Sequence, residues 1–369
     1  MRRTRFFALL FLFLFLLPLL ATPAKALSID DLLPDLLDAI PGGARDELAG
    51  VTEPEAVGQL LGLEYLASVV LSALSEGLSL SLGMLGRLLS AVLLCAILAL
   101  AAKHLSAPAA YAAECGIAAV LCVSIFLTAR EDIALACSSL SDMRVLSDGL
   151  IPLFATLFAA GGSAGTAAAA ASGFAAFSYF LSHAMAAVLS PMLYFLFALS
   201  AISALGGGGS MDGLLRTVKG LYLTLILFVS VLLVTSLGFQ TTLSASADSL
   251  AAGSVRFAIG NLIPVVGGTL GGSLRTLASS LSLVRSTLGT LSLASLLLSV
   301  LPVLISLLLH RFFLSLASDA AGMLGAERAR RTLDGFRSVY DLAAALLAVA
   351  LVLFFLILGI LCHTVTAIG

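Results

Sequence analysis

Apolar runs of membrane-spanning length recur along this chain, at residues 85–102, 109–128, 221–239, 288–309 and 342–361. Each meets the roughly 20 residues that an α-helix needs to cross a hydrocarbon core. Only 11% of the 369 residues are charged and 60% are hydrophobic, whereas soluble domains carry roughly 25% charged residues. A backbone in lipid must satisfy its own hydrogen bonds, which a helix does within one segment. The expected fold is therefore all-α: a polytopic integral membrane protein of about 6–8 transmembrane helices, some of them broken or re-entrant. The 33 glycines fit helices that approach one another closely.

The chain opens with Arg2, Arg3 and Arg5, an apolar run from Phe6 to Leu20, and the small-x-small end Ala24-Lys25-Ala26. That is the layout of a cleavable signal peptide over residues 1–26, with an uncleaved anchor helix as the alternative. Either way the chain emerges outside the cytoplasm. Without the four cations of this segment, the formal net charge moves from −2 to −6. Acid is concentrated in residues 27–84, where ten carboxylates, among them Asp30, Asp31, Glu53 and Glu76, stand against a single base, Arg45. Clustered cations are what phosphate binding requires, so nucleic acid is not an expected partner. Residues 27–84 read as an acidic extracytoplasmic segment whose amphipathic part lies at the membrane interface, or as a plain linker.

A multi-pass membrane domain is expected over residues 85–363. With the acidic segment outside, Lys103 and His104 are cytoplasmic, and Arg130, Glu131 and Asp132 return to the outer face. Residues 149–205 are cut by Gly161, Gly162, Gly165, Gly173 and Pro191. They predict either three thin crossings or one crossing with a re-entrant hairpin. The glycine-rich stretch before Arg216 and Lys219 is then cytoplasmic, as is an arginine-rich loop over residues 310–340 with Arg311, Arg328, Arg330, Arg331 and Arg337. Arg256, Arg275 and Arg285 fall on the outer side and dilute this bias.

Within residues 248–289 lies the run Val255-Arg256-Phe257-Ala258-Ile259-Gly260-Asn261-Leu262-Ile263-Pro264-Val265-Val266-Gly267-Gly268. Pro264 removes a backbone donor and the glycines remove bulk, which predicts a kink or re-entrant turn. Gly267 and Gly271, like Gly268 and Gly272, stand four apart, a spacing that lets a second helix pack closely. Leucines from Leu274 to Leu288 recur at helical intervals and predict an amphipathic helix.

Glu114, inside the second apolar run, must face protein, a cavity or the interface, and is a candidate functional acid or a structural one. His183 has no second ligand at a metal-binding spacing. Cys95, Cys115, Cys122, Cys137 and Cys362 show no CxxC pair and read as small buried hydrophobes. GxxxxGK[ST] and HExxH are absent from the sequence. No enzyme activity, cofactor or metal is expected, and no small-molecule substrate is suggested.

The run from Asp248 through Arg256, Asn261, Pro264, Gly267 and Gly268 to Gly289 resembles the stage III sporulation protein AE family. The layout of signal, acidic segment, interrupted middle, arginine-bearing loop and last apolar helix is consistent with it. Where the family pattern suggests a lysine, this chain has Arg256, and the charge is kept. The resemblance implies a multi-pass protein of the bacterial cell membrane, in the mother-cell-derived outer forespore membrane. It further implies a subunit of a transenvelope channel complex, with other stage III A sporulation proteins and membrane lipid as partners. The family supplies no catalytic residues. A permease acting alone is the competing reading, motivated by the broken helices and Glu114.

Overall fold

The computed structural model describes residues 63–102, 104, 106–160, 164–206, 213–235 and 267–363, and every element among them is a helix. These are α1 (Leu63–Ala102), α2 (Ala107–Ala160), α3 (Ala164–Ala184), a π-helical turn (Met185–Leu189), α4 (Ser190–Gly206), α5 (Gly213–Thr235), α6 (Gly267–Met323) and α7 (Glu327–His363). Six helices among the described residues are long and apolar enough to cross a membrane, α3 and α4 counting as one. The signal segment and the signature residues Asp248, Arg256, Asn261 and Pro264 lie outside the described residues.

Cross-helix contacts set the helix directions. Leu205 near the end of α4 meets Cys115 near the start of α2 and Arg328 at the start of α7. Asp132, midway along α2, meets His310 of α6 and Tyr340 of α7. Deeper still, Asp148 meets Ser178 of α3. The helices thus alternate up and down, and the connections after α1, α4 and α6 lie at one end, called here the upper end. That is the grouping expected for the loops at Lys103, Arg216 and the arginine cluster.

Helix length is where the structure departs most from expectation. α2 has 54 residues and α6 has 57, or about 80 Å each at about 1.5 Å per residue, against a core about 30 Å thick. Arg130, Glu131 and Asp132 do not sit in a loop. Helix propagates through them because each added residue gains a hydrogen bond and no glycine or proline interrupts. Residues 63–84 likewise form one continuous helix with the span that follows.

The broken middle resolves into a single crossing. Pro191 has no N–H and its ring crowds the carbonyl four residues back, which falls in the π-helical turn. There Ser190 N–H bonds to Met185 O, five residues back. The wider turn absorbs the proline without ending the helix, so neither a re-entrant hairpin nor three thin crossings form among the described residues.

The arginine-rich loop is a helical hairpin instead. Only residues 324–326 turn: Ala326 N–H bonds to Ala321 O at 2.9 Å and Gly325 N–H to Gly322 O at 3.1 Å. Gly325 has φ +73°, the left-handed cap that closes a helix C-terminus. Residues 310–323 and 327–340 stay helical because apolar side chains at helical spacing, among them Leu314, Ala317, Leu333 and Phe336, are fully buried. Gly325→Ala is expected to cost about 1 kcal/mol through its positive φ, read as a lowered midpoint of thermal unfolding in detergent.

α6 and α7 form the centre, with 72% and 67% of their most apolar windows buried, while for α1, α2 and α5 the figures are 28%, 29% and 17%. α1 crosses α6 at Gly77, where an added Cβ would stand 2.8 Å from Leu309 Cδ1. An alanine there would make the end of the Leu309 side chain shift.

Candidate functional site

Where α2, α6 and α7 meet, three polar side chains are enclosed in the apolar bundle. Asp132 is 8% exposed, His310 7% and Tyr340 2%. The Tyr340 hydroxyl donates to Asp132 Oδ2 at 2.6 Å. His310 Nδ1 stands 2.7 Å from the same oxygen, but bent out of line for a hydrogen bond, and packing holds the imidazole. The two rings meet edge to face, with centroids 6.2 Å apart. A buried carboxylate persists only with such partners, because losing water costs several kcal/mol.

Further polar contacts surround the first half of α7. Arg311 pairs with Asp341, joining α6 to α7 one residue from the cluster. Lys219 of α5 donates to Ser338, whose hydroxyl donates to Gly335 O. Ser200 of α4 also donates to Gly335 O, at 3.5 Å. Arg337 reaches Ser315 of α6 at 3.3 Å and Asp334 at 3.1 Å. The first half of α7 is thereby tied to α2, α4, α5 and α6.

Glu114 is drawn into the upper end of this network. Arg328 donates to Glu114 Oε2 at 2.9 Å, to Leu205 O at 3.1 Å and to Cys115 Sγ at 3.5 Å, with its guanidinium 5.3 Å from the centre of the Tyr111 ring. Leu205 lies in the last turn of α4, where carbonyls lack helical partners, so one arginine caps α4 and clamps α2 to α7. The Glu114 side chain is 49% exposed and that of Arg328 15%. The geometry favours the structural reading of Glu114. Glu114→Gln keeps an acceptor oxygen and is expected to cost well under about 1 kcal/mol, with sporulation retained; a variant that folds but sporulates poorly would restore the functional reading.

Of the other expected site residues, Gly267, Gly268, Gly271 and Gly272 lie in the first turns of α6, and the leucine-striped stretch after them is helical as the spacing predicted. His183 stacks on Tyr179 one turn earlier, centroids 5.8 Å apart. Among the described residues no group of three or more His, Cys, Asp and Glu side chains could hold a metal ion. Cys95 and Cys122 are buried, while Cys115 and Cys137 are half-buried. The Cys95, Cys115 and Cys122 thiols each approach a carbonyl of a neighbouring helix, at 3.7–3.9 Å.

Sequence reasoning missed the Asp132–His310–Tyr340 cluster. Asp132 stands 178 positions from His310 and 208 from Tyr340, so no local spacing reveals the cluster. The available signal was a lone histidine at the end of the apolar run 288–309, with a Tyr-Asp pair opening the run 342–361.

No curated protein and no solved structure matches this chain. A family model described as stage III sporulation protein AE matches residues 58–365, nearly its whole length. That range takes in every described helix, the polar cluster and the signature run, and the chain belongs to the stage III sporulation protein AE family.

Proposed function

We propose that this protein is a non-enzymatic membrane subunit of the transenvelope channel complex that links mother cell and forespore. The observation that carries the reading is the family match over residues 58–365, joined to six helices able to cross a membrane. In this reading the protein sits in the mother-cell-derived outer forespore membrane with other stage III A proteins as partners. Its upper end faces the mother-cell cytoplasm, by the bias of Arg216, Lys219, Arg328, Arg330 and Arg331 toward that end. The polar network around α7 holds the crossing helices in one arrangement. Deletion of the gene in its host tests this. The expected result is a loss of heat-resistant spores by orders of magnitude, with arrest after engulfment and loss of late forespore gene expression; normal spores overturn it.

A second reading, a permease acting alone, is favoured by one observation: an ionisable cluster enclosed at the depth of the apolar helices. Such residues mark solute and proton paths in transporters. Proteoliposomes test it, the expected result being solute flux that Asp132→Asn abolishes. Absence of flux for every solute tried rejects it.

A further inference from the structure

α5 is a candidate membrane span over Gly213–Thr235, with only 17% of its most apolar stretch buried. Lys219 contacts Ser338, two residues before Tyr340, which contacts Asp132. α2 and α5 both descend from the upper end. Eight or nine residues below Lys219, Leu227 and Phe228 therefore stand level with residues of α2 about as far below Asp132, near Ser141. The outward face of α5 at this height is apolar: Leu227 is 68% exposed, Phe228 60% and Val231 59%.

α2 presents the opposite character at that height. Above Arg130 its exposed large hydrophobic residues are Tyr111, Val120, Val123 and Phe126. From there down its outward face carries Glu131, Ser138, Ser141, Arg144 and Asp148, all exposed. Arg144 and Asp148 form an ion pair at 3.4 Å with side chains 60% and 53% exposed, level with the exposed apolar face of α5. Facing hydrocarbon, such a pair is strongly unfavourable. One side of the bundle therefore suits lipid at this depth and the α2 side does not.

We infer that the lower half of α2, centred on Ser141, is the face by which copies of this chain associate side by side within the membrane. Three features point to a second copy as the occupant. The face carries both signs of charge, and copies held parallel by the bilayer bring Arg144 of one to about one helical turn from the height of Asp148 in the next. Ser138 and Ser141 are small and polar, the residue type that permits close helix approach and hydrogen bonding in membranes. Leu135 and Val145, 47% and 53% exposed, give the same face apolar contact area beside the charges. The inference rests on the helices crossing a bilayer and not on the channel reading, so it stands or falls separately from the spore count.

The test is site-specific photocrosslinking in host membranes carrying two differently tagged copies of the full chain. A photoreactive phenylalanine analogue replaces Ser138 or Ser141 in one set and Leu227 in another. The expected result is a product of twice the chain mass, containing both tags, from positions 138 and 141 and not from 227. Adding Arg144→Asp to the probe-bearing copy should reduce the product at least severalfold, and Asp148→Arg in the other copy should restore it. The inference is overturned if positions 138 and 141 give only lipid adducts or only products with a different protein. It is equally overturned if the two-tag product comes from position 227 instead.

Discussion

Alanine at Asp132 is expected to cost about 3 kcal/mol of stability, from a hydrogen bond to a carboxylate that is lost and a buried hydroxyl left unsatisfied. The loss exceeds that of a surface acid because two partners are stranded. Tyr340, 2% exposed, keeps a hydroxyl with nowhere to donate, and His310, 7% exposed, loses the oxygen beside Nδ1. The measurement is thermal unfolding in detergent followed by far-ultraviolet circular dichroism, with protein abundance in the membrane as a second readout. Asp132→Asn separates two roles: it keeps an acceptor for the Tyr340 hydroxyl while removing the charge. A structural cluster predicts that Asn recovers most of the stability and the sporulation phenotype. An Asn variant that folds and accumulates normally yet fails to sporulate would give the charge a functional role. An Ala variant as stable as the parent would show that the three side chains do not hold α2, α6 and α7 together.

Phe336→Ala should be comparably damaging, at about 3–5 kcal/mol, from lost apolar burial and the cavity left behind. Phe336 is fully enclosed, at 0% exposure, with its ring 5.5 Å from that of Phe197, which lies 5.5 Å from Phe126. This aromatic line joins α7 through α4 to α2, just above the Asp132 cluster. Phe336→Leu keeps much of the volume and is expected to cost less than about 1.5 kcal/mol. The same melting experiment compares the two. Equal losses for Leu and Ala would mean that the tilted ring-to-ring contacts, not filled volume, hold the joint.

Both predictions concern helix-to-helix joints, and those were the part of the molecule least legible in the sequence. The apolar runs were legible because transfer into hydrocarbon depends on local composition summed over about 20 residues. Hence the all-α membrane class, and the grouping of the loops at Lys103, Arg216 and the arginine cluster at one end, agree with expectation. Helix ends were less legible. The charged triplet Arg130-Glu131-Asp132 looked like a boundary, yet Ile125, Ala129, Ile133 and Ala136 stay buried on one face through it, and packing carries the helix onward. The turn at Gly325 was hidden among arginines that suggested a longer loop. Glu114 was identified as an acid needing a partner, but Arg328, 214 positions away, could not be named.

By itself the sequence determined the solvent this chain folds in, the helical class and the family, since each follows from local composition or from a contiguous run such as Arg256 to Gly268. Only the tertiary structure decided that charges assigned to opposite faces of the membrane share one interior. It put Asp132 from a supposed outer loop against His310 and Tyr340 from the two ends of a supposed cytoplasmic loop. The physical reason is that a buried polar group is stabilised by whichever partner the packing of long helices brings within about 3 Å. That choice depends on helix direction and stagger across about 200 residues of chain, quantities that no local pattern of residues encodes.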